Sequence, residues 1–567
     1  MTCNVRIMIV GGYGTFGGRL VELLEDEPRL TVLVAGPSIE RSRAYCAKRT
    51  AARATLVPTA YDRINSQHLA LADLHVTLVV DASGPFQAYG NERYRLIESC
   101  IKCSVNYLDL ADASAFVSGV SAFDEAARAA QVYVLSGVSS FPVLTAAVVR
   151  HLSGELAHIT SIRGGIAPSP YAGVGLNVIR AIASYAGQPI ALKRAGRTVT
   201  AYPLTESMRF VIAVPGHIPL TRLRFSLVDV PDLTTLAEIW PESGEVWMGA
   251  GPLPALLHWA LTGFAWMVRM RLMPTLSWMA SLIYFVTNHL RWGEHRGGMF
   301  VAVEGQTSDG SKVTREWHLL AEGRDGLFVP SMAVEALVRK SLAGQIPPAG
   351  ARTAISDVSL LDYQPLFARR TIFTGIWQRL PVATQPLFQL VLRDAFELLP
   401  SALQQLHTIK GQSLYSGLCR VKQGSNPVAR IVMALFGFPK PACEVPITVR
   451  LYQEGASERW VRSVADRSFS SQMSRGVGPS EGLIRERFGP IAIDMALVSQ
   501  GPTLGYVIRR WSLFGIPMPL WLGPSTIATE YADAQGRFRF DVELRHPFLG
   551  LLTHYAGSLS PTDQAAS

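Results

Sequence analysis

The most constraining stretch of this chain is Gly12-Tyr13-Gly14-Thr15-Phe16-Gly17, which follows the apolar run Val5 to Val10 almost directly. Glycines between a strand and a helix let the backbone approach a bulky anion. The first helical turn then offers unpaired N–H groups and the positive end of the helix dipole. Strand, glycine turn, helix and a second strand some twenty residues on predict a Rossmann-type nucleotide-binding domain over residues 1–150. Gly12, Gly14, Thr15, Phe16 and Gly17 would cradle the pyrophosphate of a dinucleotide.

Further β-branched runs at Leu30 to Ala35, Thr55 to Pro58, Val76 to Ala82, Val105 to Leu108 and Val132 to Leu135 alternate with helical stretches beginning after Gly14 and near Ser38, Asn65 and Tyr89. Nearly continuous apolar strands separated by helices predict an α/β fold with a doubly wound parallel sheet, covered on both faces. The second strand ends in Ala35-Gly36-Pro37-Ser38, without the acidic residue that bonds the ribose hydroxyls of NAD. Ser38 and Arg41 can instead donate to a 2'-phosphate, so NADP is favoured, with NAD as the alternative; a solvated arginine face is the plainer reading of Arg41 and Arg43. Asp62 either approaches the adenine side or caps a helix. The turn Asp81-Ala82-Ser83-Gly84-Pro85 brings small residues (Ala82, Ser83, Gly84, Pro85) to the carboxyl edge of the sheet, where a nicotinamide ring needs close backbone.

The texture changes twice more. Residues 151–365 mix strands (Ile159 to Gly164, Arg222 to Asp229, Met299 to Glu304, Val313 to Leu320) with helices and predict an α+β substrate or dimerisation domain. Its last helix, Pro330 to Ala343, is expected to pack back on the first domain. Gly344 to Gly350 and the segment around Tyr363 to Arg370 read as a linker. Residues 371–567 begin helically (Val391 to His407) and continue as alternating strands separated by polar turns, predicting an antiparallel β-rich α+β domain with a small polar tail, Asp563 to Ser567. A net charge of +9 is scattered along the chain, so nucleic acid is not an expected partner. Six cysteines are few for this length and, with no signal-peptide layout, point to the cytoplasm; Cys100 and Cys103 read as free thiols. No metal-ligand spacing stands out. The stretch Leu253 to Leu290 is unusually apolar and aromatic, but Arg269, Arg271 and Pro274 interrupt it. That pattern fits the wall of a greasy pocket or contact with a membrane surface better than two membrane spans.

Gly12 to Gly17, Asp81 to Phe86 with Tyr89-Gly90, Cys100 and Tyr107-Leu108-Asp109-Leu110 together resemble the saccharopine dehydrogenase-like NAD(P)-binding proteins. Gly173-Val174-Gly175, Gly297-Gly298-Met299 and Trp317 extend that resemblance to about residue 365. It implies a Rossmann domain joined to a substrate domain, a homodimer, and oxidoreductase chemistry in which some members reduce lipid intermediates. Pro37 stands after Gly36 where the family often has arginine. The last third resembles the DUF4166 family, through Leu406-His407, Trp460-Val461-Arg462, Phe469 with Ser471, Glu486-Arg487-Phe488-Gly489 and Tyr555-Ala556-Gly557; that likeness carries no chemistry.

Hydride transfer needs a proton donor or acceptor beside the cofactor. Tyr107 and Asp109, at the end of the fifth strand, are the leading catalytic candidates, with packing as the plainer alternative. Ser139 and Ser140 follow the sixth strand and read first as helix caps; His217 and His295 read as isolated structural or surface residues. Two readings result: an NAD(P)-dependent oxidoreductase acting on a hydrophobic small molecule, and a non-catalytic nucleotide-sensing or lipid-binding protein working through its C-terminal domain.

Overall fold

The structure, a computed structural model, describes residues 5–63, 68–251, 255–289, 293–379, 385–409 and 411–562. Asn65 and the tail Asp563 to Ser567 lie outside these residues, as do the ends of the apolar stretch, Leu253 and Leu290. The chain divides into two compact units, residues 1–210 with 223–379, and 211–222 with 380–567.

In the first unit, β1 (Val5–Val10), β2 (Leu30–Gly36), β3 (Thr55–Ala60), β4 (Leu78–Asp81), β5 (Asn106–Asp109) and β6 (Tyr133–Ser136) form a parallel sheet in the order β6-β5-β4-β1-β2-β3. Ile7, Met8, Ile9 and Val10 are all buried, as a strand covered on both faces requires. The strand order reverses between β1 and β4, which opens a crevice above the first glycine turn.

A seventh parallel strand, Gly350–Thr353, joins at β6, with Gly350 opposite Tyr133. The preceding helix, Val329–Leu342, returns to α1 (Thr15–Leu24): Arg339 donates to the Leu23 carbonyl at 2.9 Å and Ser331 Oγ to the Phe16 carbonyl at 3.2 Å. The segment read as a linker around Tyr363 is instead mostly helix, Leu360–Ala368, started by a capping box between Ser359 and Asp362. Pro365 makes it look like loop in sequence, but Leu360, Tyr363, Leu366 and Phe367 form a buried stripe that outweighs the lost backbone bond.

A mixed seven-stranded sheet completes this unit. At its centre His158–Ala167 runs parallel to Glu245–Ala250 and antiparallel to Gly297–Gln306, which pairs with Lys312–Ala321. The apolar stretch folds as two helices, Ala255–Arg269 and Ala280–His289. Among the described residues no helix is long and apolar enough to cross a membrane.

In the second unit the expected antiparallel sheet closes on itself. The strand Ile491–Gln500 pairs with both Ile484–Phe488 and Thr503–Leu513, which makes a ten-stranded barrel. Phe388 and Leu403, from the short helices before it, sit fully buried in one core with Leu451, Trp460 and Met473.

Candidate functional site

The glycine turn owes its shape to contacts that no side chain would survive. Gly11 lies at φ +78°, and a Cβ there would meet the Ala82 carbonyl at 2.9 Å. A Cβ on Gly17 would stand 2.2 Å from the Gly11 carbonyl, and one on Gly12 2.8 Å from that of Ile9. Gly12 and Gly17 therefore lie beneath the turn and fix its path; Gly14, Thr15 and Phe16 line the cavity above it. Gly14 is the N-cap of α1 and supplies no side-chain cap, and no acidic residue occupies the first turn. The N–H groups at this helix end are thus left for an anion, which fits the pyrophosphate of a dinucleotide. Gly175 presses on the same turn, since a Cβ there would lie 2.9 Å from Thr15 Oγ1.

At the end of β2 the absent Cβ of Gly36 makes room for the Tyr13 ring, whose hydroxyl accepts from the Ser38 N–H at 3.0 Å. Ser38 caps the next helix, accepting from the Arg41 N–H at 3.2 Å while its Oγ donates to Glu40 at 2.9 Å. It is committed before any ligand arrives. Arg41 stacks 4.9 Å from the Tyr13 ring centroid and lines the cavity, as do Pro37 and Asp62. Glu40, overlooked in the sequence, is an exposed carboxylate bonded to Ser38 outside the cavity wall.

Ala82, Ser83, Gly84 and Pro85 line the cavity and are held by a buried network. Asp81, with no exposed surface, accepts from Arg63 Nε at 2.6 Å and from the Ser83 N–H and Oγ at 3.1 and 2.5 Å. The Ser83 proton being given to Asp81, the Tyr89 hydroxyl donates to Ser83 Oγ at 2.7 Å. Arg63 lies 3.7 Å from the Tyr89 ring centroid. Burial, then the Asp81 charge, push the Tyr89 hydroxyl far above the usual phenol range, so it stays protonated. Asn177 Nδ2 donates to the Gly84 carbonyl at 2.8 Å and ties the turn to the helix Leu176–Tyr185.

Tyr107 and Asp109 are placed elsewhere, behind the cavity wall. Tyr107 is fully buried in the core among Val79, Leu96 and Cys100, and its hydroxyl has no hydrogen-bond partner among the described residues. Asp109 Oδ1 accepts from the Ala111 N–H (3.0 Å), Ser136 Oγ (3.0 Å) and the Gly137 N–H (2.8 Å), pinning the ends of β5 and β6 together. Burial pushes its carboxyl up to about 7 against those stabilising bonds.

Among the polar groups that do reach the cavity are Asp112 and Tyr185, both missed by sequence reasoning. Asp112 Oδ1 accepts from Gln87 Nε2 at 3.1 Å, and Asp229 Oδ1 from Ser114 Oγ at 2.8 Å. Desolvation raises both carboxyls, and the Asp229 charge adds to the shift on Asp112. Tyr185 is raised well above the phenol range by burial and by these two carboxylates. Asp112 had one legible signal, its place in the turn that leaves the fifth strand; Tyr185 arrives from a helix some seventy residues away and had none. Ser139 and Ser140 also line the cavity, and Ser139 precedes its helix without making a side-chain cap bond.

The cavity measures about 890 Å³, and away from the glycine turn its wall is mainly apolar, with Ile166, Ile182, Val230, Leu257, Leu261 and Ile283. That exceeds what a nucleotide's pyrophosphate contact needs and matches the size range of ligand clefts.

The barrel holds a second constellation. His407 Nε2 meets Glu530 Oε2 at 2.6 Å, while the Phe388 ring stacks on the imidazole at 3.7 Å. Arg462 donates to Ser471 Oγ (2.9 Å) and Glu486 (3.3 Å), and Ser471 Oγ donates to Glu486 (2.6 Å). Buried Glu458 accepts from Trp460 Nε1 at 3.1 Å. These include residues that carried the resemblance of this region.

Comparison with known proteins agrees with both units. Residues 7–135 match the family described as saccharopine dehydrogenase NADP binding domain, and residues 399–559 match the domain of unknown function DUF4166. No curated protein matches the chain. Solved structures similar in fold include apo saccharopine dehydrogenase (L-Glu forming) from Saccharomyces cerevisiae, at 13% identity and TM-score 0.47, covering 66% of this chain and 100% of that one. A probable dehydrogenase from Thermotoga maritima aligns at 12% identity and TM-score 0.31, covering 63% and 92%. Biliverdin reductase from Synechocystis, solved with biliverdin and NADP+, aligns at 11% identity and TM-score 0.29, covering 61% and 92%. The chain thus joins a saccharopine dehydrogenase-like nicotinamide-nucleotide-binding domain to a DUF4166 domain.

Proposed function

We propose that this protein is an NADP-dependent oxidoreductase that reduces, or in reverse forms, a carbonyl or alkene in a largely apolar small molecule. The observation that carries this reading is one cavity in which an uncapped helix end, a small-residue turn, a desolvated carboxyl and an apolar wall meet. Gly14, Thr15 and Phe16 would hold the pyrophosphate, Arg41 the 2'-phosphate, and Ala82 to Pro85 the nicotinamide side. When bound, the reduced nicotinamide supplies a hydride to the electrophilic carbon of the substrate.

Asp112 then gives its proton to the substrate atom left with the electron pair, so that substrate, reduced cofactor and one proton yield reduced substrate and oxidised cofactor. Its burial suits it to this role by keeping the proton to higher pH than an ordinary carboxyl does. Tyr185 keeps its own proton and serves as a fixed hydrogen-bond donor that orients the substrate. NADP is preferred over NAD because Arg41 belongs to the cavity wall and the Glu40 carboxylate does not. The test is absorbance at the reduced nicotinamide band during incubation of the full chain with NADPH and a panel of apolar aldehydes, ketones and enoyl thioesters. Turnover with at least one class is expected; oxidation of none, although the nucleotide binds, would contradict catalysis.

A further inference from the structure

The two helices of the apolar stretch present apolar side chains on both sides. Toward the interior, Leu261 from the first and Ile283 and Tyr284 from the second line the cavity. Outward, Trp259, Met270, Leu272, Trp278, Leu282 and Phe285 are exposed; Trp278 keeps 69% of its surface and Leu272 68%. So many large apolar side chains gathered in one hairpin exceed the scattered surface hydrophobes of a soluble fold and mark a contact surface.

Its chemistry selects the partner. From Val246 to Gly293 the sequence contains no Asp or Glu, while Arg269 ends the first helix and Arg271 follows it. Arg269 lies 4.5 Å from the ring centroids of both Tyr202 and Trp266, and Arg224 4.5 Å from that of Trp259. Guanidinium groups beside tryptophan and tyrosine rings match the boundary of an anionic bilayer, where aromatic rings sit at headgroup depth and cations meet lipid phosphates. A fifteen-residue helix spans about 22 Å, short of a hydrocarbon core of about 30 Å, so this hairpin can lie in the interface and cannot cross it.

We propose that the hairpin 255–289 seats the protein on an anionic lipid bilayer surface, and that an apolar substrate passes between the bilayer and the cavity along its inner face. The docking surface stands on exposure and charge; the route into the cavity rests on the function proposed above.

The experiment floats the full chain with vesicles of phosphatidylcholine alone and of phosphatidylcholine mixed with phosphatidylglycerol. Mixed vesicles should carry the protein, and raising salt from 0.05 to 0.5 M should release part of it as headgroup attraction is screened. Trp278→Ser combined with Phe285→Ser, both at exposed positions, should weaken partitioning by at least about tenfold while leaving melting temperature and NADP affinity unchanged. Failure to float with mixed vesicles, or equal flotation of the variant, overturns docking. Self-association in solution that these substitutions abolish, without flotation, also overturns it and assigns the surface to a second copy of the chain. Flotation retained in a chain that binds no nucleotide would leave docking in place and remove the proposed function.

Discussion

The cavity of the first unit and the interior of the barrel both enclose ionisable groups, and they differ in how those groups are partnered. Inside the barrel most ionisable side chains face one another, His407 with Glu530, Arg462 with Glu486 and Arg485 with Asp494, while the fully buried Glu458 accepts from the neutral Trp460 indole. At the cavity Arg63 and Asp81 pair with each other, but Asp112 accepts from the neutral Gln87 and lines the cleft, with the Asp229 charge adding to its desolvation. Paired interior charges consume one another's capacity and specify a packed core, whereas an underused carboxyl beside an apolar cleft keeps its capacity for a ligand. Under the proposed function, the difference places the chemistry in the first unit.

Substitution at the cavity should therefore alter rate without altering stability. Asp112→Asn is expected to lower kcat for reduction by about 10²- to 10⁴-fold, the usual scale of general acid catalysis, with the melting temperature unchanged. In the unsubstituted protein the reduction rate should fall as pH rises through the elevated Asp112 range, and the Asn variant should lack that limb. A variant with full activity would move the proton donor elsewhere.

The barrel should behave in reverse. Glu530→Ala leaves buried His407 Nε2 without its hydrogen-bond partner and should cost the barrel about 1–3 kcal/mol, seen as a lower calorimetric transition for that unit. NADP affinity should not change. Loss of nucleotide affinity with intact barrel stability would break the division of labour drawn here.

A smaller effect is expected at Arg41. Arg41→Ala should weaken NADP by about tenfold, near 1.4 kcal/mol, and NAD hardly at all, read by titration with each nucleotide. Equal weakening of both would mean that Arg41 holds no 2'-phosphate.

A pH-dependent effect is expected at Asp109. Its folded carboxyl is held up to about 7 by burial, against an ordinary value of about 4, so the folded chain binds this proton more tightly than the unfolded one. Its contribution to stability is therefore greatest at acid pH and declines as pH rises from about 4 to about 7. Asp109→Asn should flatten the melting temperature across that window, and an unchanged slope would place the titration on another group.

The first sheet was legible because its determinants are local. Val5 to Val10 is a strand by its unbroken apolar run, and Gly36 and Gly12 are demanded by contacts within a few dozen residues. What was not legible comes from distant parts of the chain. Gly350–Thr353 reads as loop until β6 supplies its pairing partner, and the barrel closes only because Ile491–Gln500 finds two neighbours, a property of shear rather than of any strand's own sequence. Tyr107 and Asp109 drew attention by standing at a strand end, yet both side chains turn into the core; Asp112, three residues on, turns into the cavity. Strand ends announce where a site is, and the turn that follows decides which side chain enters it.

The most direct test of the central claim, that the first unit's cavity is a nicotinamide nucleotide site, is calorimetric titration of the full chain with NADP. One saturable site per chain is expected, with NADP bound about tenfold more tightly than NAD. Absence of saturable heat with either nucleotide would contradict the account at its base.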